Sequence, residues 1–163
     1  SLVEQLQART VSRSYLALVN GVMTAGGTID EPIGRHPVDR KRMAVIESGR
    51  EAVSHYRVQR RFKAHTLVEV KLETGRTHQI RVHMSYLRYP IVGDPVYGGR
   101  NRFPQGCGEK LREVISGFTR QALHAYALEF EHPESGESIS CEVPLPDDFQ
   151  QLMAAIEQHD NDA

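Results

Sequence analysis

The 163-residue chain contains no tryptophan and only two cysteines. Cys107 and Cys141 are far apart and form no CxxC pair. That spacing argues against a disulfide scaffold and against a thiolate zinc site, and it suits a reducing, cytoplasmic setting. Long apolar runs are missing too, so no segment reads as a membrane span of about 20 residues. The opening stretch, SLVEQLQART, lacks the basic start and apolar run of a secretory signal. Internal repeats and low-complexity segments are absent. What is present is an ordinary globular balance, 39% hydrophobic and 25% charged, enough for one domain with a real core.

A net charge of −1 hides a strong asymmetry. Residues 1–105 carry 17 Lys and Arg against 9 Asp and Glu, a net of +8, whereas residues 106–163 carry 3 against 12, a net of −9. A basic two-thirds followed by an acidic remainder suggests a polyanionic partner for the first part. Charge spread over solvated faces is the plainer alternative.

Periodicity outlines the elements. Leu2, Val3 and Leu6 sit at helical spacing with no N-cap before them. SRSYLALVNG alternates, with Tyr15, Ala17 and Val19 on one face and Leu16 and Leu18 on the other, and reads as a strand buried on both sides. TAGGT reads as a loop, and IGRHPVDRKR, from Ile33 to Arg42, as a polar basic loop. The apolar run Met43–Ile46, the Ser48-Gly49 turn signal and a strand over Ala52–Phe62 together suggest a hairpin. His65 to Thr74 alternates again, with Thr66, Val68, Val70 and Leu72 facing one way.

After Gly75 the period changes from 2 to 3.6. Ile80, Met84 and Leu87 form one helical stripe, and His78, Arg81 and Ser85 form another, until Tyr89-Pro90 stops the helix. IVGDPVYGGRNRFPQGCG reads as loop and EKLREVISG as a short helix. Two strands follow, in QALHAYALEFEHP and ESISCEV, joined by an ESG turn. The closing helix has Asp147 as N-cap and Phe149, Leu152, Met153 and Ile156 as its buried stripe; the last residues, HDNDA, are expected to fray. The fold class expected is α+β, with a mixed, largely antiparallel sheet and few helices.

One segment carries chemistry on physical grounds alone. In GRTHQIR a strand ends, Gly75 turns the chain, and a helix begins near Thr77. The first helical turn presents free backbone N–H groups and the positive end of the helix dipole, with Arg76 and Arg81 close by. Such a corner attracts a phosphate or a carboxylate. An ordinary strand–helix junction with surface arginines would look the same.

The full string is more specific. LETGRTHQIRVHM resembles the C-terminal signature motif of the RluA-type pseudouridine synthases. SRSYLALVNG resembles the family's tyrosine-bearing strand, YPIVGDPVYGG the loop after the helix, and RQALHAYALEFEHPESGE with VPLPDD the closing strands and helix. The motifs occur in family order across essentially the whole chain. They are most similar to the RluD-like members, which modify large-subunit ribosomal RNA.

The resemblance implies the pseudouridine synthase catalytic-domain fold and the cofactor-free, metal-free isomerisation of uridine to its C-glycoside. In that reaction an Asp carboxylate attacks or assists at the sugar and the N1–C1′ bond breaks. The uracil then turns, C5 bonds to C1′, and the C5 proton leaves. The target base must be flipped out of its helix or loop to reach the site. By the same resemblance, Arg81 is the arginine that pairs with the catalytic Asp. Tyr15 is the tyrosine that packs on the uracil and assists removal of the C5 proton. Ile80 supplies apolar contact beside the base, and Arg76, His78 and His83 are candidates for RNA or pocket contacts. Arg35, Arg40, Lys41 and Arg42 of the basic loop are expected to hold phosphates, which fix position and not sequence. Arg57, Arg60, Arg61 and Lys63 extend the same patch.

One departure matters. The family's catalytic Asp lies in an HRLDxxTSGL-like motif upstream of the tyrosine strand, and no such run occurs here. Asp30, Asp39, Asp94, Asp147, Asp148, Asp160 and Asp162 all lack that context. Asp94, in GDPVYGG, is better explained by turn chemistry. The expectation is therefore a partial catalytic domain over residues 1–163, inactive as cut, without the Asp segment or an S4-type RNA-binding domain. Arg81 must then be partly exposed or hold a substitute anion or acidic side chain, because an unpaired buried charge is costly. The partner expected is large-subunit ribosomal RNA, with no membrane and a monomeric state. An alternative is a non-catalytic RNA-binding module or ribosome-assembly factor on the same fold. A metal site is not expected: His78 and His83 are five apart, and no HExxH occurs.

Overall fold

Strand β1 (Ser12–Asn20) is the one on which the others are built. The computed structural model describes residues 12–131 and 134–162. The helical spacing of Leu2, Val3 and Leu6 lies outside them. Around β1 the chain lays down β2 (Gly27–Asp30), β5 (Val53–Arg61), β6 (His65–Leu72), β7 (Leu123–Glu131) and β8 (Ser138–Glu142). They form one sheet in the order β2-β5-β6-β1-β7-β8, with every pairing antiparallel. The α+β expectation stands, with a sheet that is antiparallel throughout.

Alternation decides the two faces of the sheet. Tyr15 pairs with Val70, Ala17 with Val68 and Val19 with Thr66, while Tyr56 and Val58 of β5 stand opposite Val70 and Val68. These side chains share a face. Further along it, Ser54 opposes Leu72 and reaches helix α1 (Gln79–Tyr86), with Ser54 Oγ bonded to Gln79 and His83. On the other face Leu67 opposes Arg60, whose guanidinium pairs with Glu157 of helix α3 (Asp147–Asp162) at 2.9 Å. Helix α2 (Glu109–Gly117) packs against α3 through the same core. Phe149, Leu152 and Ile156 are fully buried, each contributing about 1.5–3 kcal/mol by leaving water.

Three sequence expectations need correction. The TAGGT stretch is not all loop, since Gly27 and Thr28 open β2. A Cβ on Gly26 would lie 2.6 Å from the carbonyl oxygen of Tyr56, so the glycine admits a close strand approach and does not simply mark a turn. The Met43–Ile46 run does not pair with the 52–62 strand. Strand β4 (Met43–Val45) pairs instead with β3 (Ile33–Arg35), which was read as loop, and the basic residues 36–42 become the tip of that small hairpin. Ile33, Ala52, Val82 and Tyr97 form a second buried cluster, and Met43 and Val45 pack onto it. That cluster draws the hairpin onto α1. Finally, α3 continues through residues 159–162, which are helical and not frayed, and Ala163 lies outside the described residues. Asp160 accepts the Lys63 amide at 2.9 Å and Gln158 bonds Asp162 at 3.0 Å, which holds the last turn.

Candidate active site

The site begins with a glutamine. Gln79, 2% exposed, heads α1 and divides its amide between the turn before the helix and strand β5. Its Oε1 accepts from Thr74 Oγ1 at 2.7 Å and from the Arg76 amide at 3.0 Å. Its Nε2 donates to Val53 O at 3.0 Å and to Ser54 Oγ at 2.9 Å. Thr74 in turn accepts the Val53 amide. Two donors and two acceptors are thereby satisfied in one buried side chain. The clip sets where α1 leaves the sheet, and therefore where Arg81 points.

The turn residue differs from expectation. Gly75 does not supply the left-handed conformation; His78 does, with φ of 56°. A non-glycine residue in this region is strained and persists only where its surroundings fix it. What fixes His78 is its ring, hydrogen-bonded through Nδ1 to the hydroxyl of Tyr97 at 2.9 Å and packed edge-on against the Tyr97 ring.

Arg81, 8% exposed, lies one turn further along. The acidic side chain it holds is Asp94. Its Nε donates to Oδ2 and its Nη2 to Oδ1, both at 2.9 Å, a bidentate fork. The Asp94 side chain is fully buried. Its Oδ1 also accepts the amides of Val96 and Tyr97, the local turn bonds of an Asp in a loop. Burial pushes the Asp94 carboxyl up, but the bonds from Arg81 and from the Tyr97 and Val96 amides outweigh it, and its pKa ends below the usual carboxylate range. The same pair raises the pKa of Arg81 against its burial. Both groups are therefore charged at neutral pH. Arg81 uses only its Nε and Nη2 on Asp94, and its Nη1 takes no part in the fork.

The expected site residues divide by environment. Tyr15 is half-buried on the α1 face of the sheet, in the same core cluster as Ile80. A β-bulge against β7 falls between Ser14 and Tyr15, and such bulges re-aim side chains beside functional sites. Ile80 is 4% exposed and belongs to the core. Arg76 is partly exposed, with its Nε bonded to Glu51 O at 2.6 Å. His78 is exposed, and burial of its ring together with the charge of Arg81 lowers its pKa, so it is neutral at pH 7.

His83 does not join them. It is fully buried, with Nδ1 bonded to Ser54 Oγ at 2.8 Å and Nε2 to Glu31 O at 2.9 Å. A carbonyl can only accept, so Nε2 carries the proton and Nδ1 takes the Ser54 hydroxyl. His83 is a packing residue in the clip network and offers nothing to RNA.

The basic residues lie at the end of β3, Arg35, and on the hairpin tip, 36–42. Arg35, Arg40 and Lys41 are exposed, and Arg42 is half-buried with its guanidinium 5.0 Å from the Tyr97 ring centroid. The tip is ordered by its own bonds: His36 Nδ1 accepts the amides of Val38 and Asp39, and Arg35 Nη1 donates to Arg40 O at 2.8 Å. Of the proposed extension, Arg57 and Arg60 are engaged by Glu69 and Glu157, and Arg61 by the carbonyls of Met23 and Thr24.

Sequence reasoning missed Gln79 and Tyr97 as site residues. Gln79 had a weak signal, a glutamine five residues after Thr74 at a strand–helix junction. Tyr97 had none, because its partners at 42, 43, 78 and 81 are assembled only by the fold. Among the described residues no group of His, Cys, Asp or Glu is arranged to hold a metal.

The family model described as RNA pseudouridylate synthase matches residues 1–86, more than half of the chain. "Ribosomal large subunit pseudouridine synthase D" of Pseudomonas aeruginosa is 60% identical over 157 residues, 96% of this chain and 49% of that protein. The protein of the same name from Escherichia coli is 51% identical over 162 residues, 97% of this chain and 50% of that one. The chain thus spans about half the length of the curated relatives it matches. Among solved structures, "Human RNA Pseudouridylate Synthase Domain Containing 4" superposes with a TM-score of 0.74 at 26% identity, over 96% of this chain and 66% of that one. "Human RNA Pseudouridylate Synthase Domain Containing 1" gives 0.70 at 30% identity, over 95% and 62%. With this sequence match and this shared fold, the chain belongs to the RNA pseudouridylate synthase family.

Proposed function

We propose that the protein isomerises uridine to pseudouridine in large-subunit ribosomal RNA, the substrate that its relatives' names state, and that this chain supplies the Arg81 and Tyr15 side of the active site. The observation that carries the reading is the Arg81 fork. A buried guanidinium is fixed by Asp94 through Nε and Nη2, and we assign its Nη1 to a second carboxylate.

The chemistry follows from that assignment. The attacking carboxylate must stay ionised in a site from which the flipped base has expelled water, and a fixed guanidinium does this without reorganising. Asp94 is not the attacking group. It is fully buried, and its two oxygens already take four hydrogen bonds. We assign the attack to a carboxylate upstream of β1 in the natural-length protein. Tyr15 stacks on the flipped uracil, worth roughly 1–3 kcal/mol, and assists loss of the C5 proton. Ile80 backs this pocket from the core. Arg76, His78, the exposed cations Arg35, Arg40 and Lys41, and the half-buried Arg42 hold the RNA backbone around it.

The test is tritium release from large-subunit ribosomal RNA carrying [5-³H]uridine, with the natural-length protein and with the 163-residue chain side by side. The natural-length protein is expected to release tritium and the chain alone is not. No release from either, with RNA still bound, would replace this reading by a non-catalytic RNA-binding module. Turnover by the chain alone would place the attacking carboxylate within it.

A further inference from the structure

The basic hairpin and the Arg81 helix meet on one side chain, Tyr97 of the loop after the helix, 54 residues beyond the Met43 that it bonds. Tyr97 is 6% exposed. Its hydroxyl accepts the amide of Met43 at 2.9 Å, at the start of β4. The same hydroxyl lies 2.9 Å from His78 Nδ1 and donates to it in the tautomer that leaves Nδ1 unprotonated. The guanidinium carbons of Arg42 and Arg81 each stand 5.0 Å from the Tyr97 ring centroid, within range of a cation–π attraction. The Tyr97 amide is itself held by Asp94, the partner of Arg81.

Arg42 is unusual among these contacts. Its Nε is buried and has no hydrogen-bond partner. No carboxylate pairs with it among the described residues; its position comes from the aromatic ring. A cation held by a ring and not by an acid keeps its charge uncancelled. The hairpin's own strands are three residues each, too short to fix its direction alone.

We propose that Tyr97 is a positioning residue that locks the basic hairpin to helix α1, so that a phosphate held at Arg42 is placed at a fixed distance from Arg81. This rests on the reading above, in which the hairpin holds RNA and Arg81 serves the reaction. The role assigned to Tyr97 runs through Arg81, Arg42 and His78, with no contact to the base or the reacting atoms required. It sets the register between where the backbone is held and where the base is presented.

The test is a double-mutant cycle in the natural-length protein, using Tyr97→Phe, Arg42→Ala and the pair. The readouts are affinity for large-subunit ribosomal RNA and the kcat and KM of tritium release. Tyr97→Phe keeps the ring beside both arginines and removes the hydroxyl that Met43 and His78 use. It is expected to raise Kd and KM about 5- to 10-fold, the scale of one lost hydrogen bond, with kcat within about 2-fold. Arg42→Ala should weaken binding comparably, and adding Tyr97→Phe to it should cost less than about 2-fold more, because both act through one placement. Effects that multiply in full, or a folded Tyr97→Phe protein with unchanged Kd and KM, would overturn the proposal.

Arg42→Lys covers the case in which Tyr97→Phe does not fold. It keeps the charge on a half-buried residue and loses the planar group that rests on the ring. It should lose most of the affinity that Arg42→Ala loses, and wild-type affinity would overturn the proposal. The binding arms decide the question even if no tritium is released, so failure of the activity reading is distinguishable from failure of this one.

Discussion

Cations on the two elements that Tyr97 joins do different work in this molecule. Arg81 is buried and its charge is answered by Asp94 in a bidentate fork. Arg40 and Lys41, on the hairpin tip, are exposed with no ion pair among the described residues, and Arg42 rests on a ring with its charge unanswered. The first arrangement gives up availability for position. The second keeps its cations open, which suits phosphate. Tyr97 joins the two regions, and the Gln79 clip holds the first of them to the sheet.

The comparison breaks most sharply at Asp94. Asp94→Ala leaves a buried guanidinium unpaired and two loop amides without an acceptor. It should cost about 3–5 kcal/mol in urea unfolding, the scale for breaking a buried pair. A loss under about 1 kcal/mol would mean that the fork is not what orders this junction.

The next largest effect lies on the buried side and depends on pH. His65, 2% exposed with its Nδ1 unpartnered, has its pKa lowered to about 4 by burial, against the opposing charge of Asp160. The unfolded chain, with a His pKa near 6.5, takes up this proton first as pH falls. His65 therefore removes stability progressively from about pH 6.5 down to about pH 4, by up to about 3 kcal/mol, and nothing further below that. His65→Gln should flatten this part of the profile. Urea midpoints at pH 7 and pH 4.5 for the two proteins measure it, and equal pH dependence would contradict the assignment.

Gln79→Ala removes the clip and leaves the Thr74 hydroxyl and the Arg76 amide without their acceptor, while Val53 O keeps the Glu73 amide. About 1–3 kcal/mol of stability should be lost, the cost of leaving buried groups unsatisfied. The smallest effect on folding belongs to the hairpin. Arg40→Ala should change stability by less than about 0.5 kcal/mol. It should lower the slope of log affinity for RNA against log salt by about 0.7–0.9, one phosphate's worth. A stability change at Arg40 without a change in slope would reverse the roles of the two regions.

Much of this was legible in the sequence where a period carried it. The alternation of Tyr15, Ala17 and Val19, and of Thr66, Val68 and Val70, gave two central strands their faces, and Ile80, Met84 and Leu87 gave α1 its buried stripe. That stripe also contains the signal for His83. Three residues after Ile80 and four before Leu87, it falls on the apolar side of the helix, where a histidine must be buried and bonded. Partner choice was less legible. Met43–Val45 is too short an apolar run to name its strand, and the choice of β3 over β5 was made by packing on Val82 and Tyr97. The Arg81–Asp94 fork spans 13 residues across a loop with no period at all. What pointed to it was the physical requirement that a buried arginine find an acid.

The most direct test of the account is Arg81→Ala in the natural-length protein, assayed by tritium release from [5-³H]uridine-labelled large-subunit ribosomal RNA, with RNA affinity measured alongside. The account predicts that turnover falls at least about 100-fold, the scale of losing one preorganised electrostatic contact, while the hairpin still binds RNA within about 3-fold of wild type. Wild-type turnover from folded Arg81→Ala protein would contradict it.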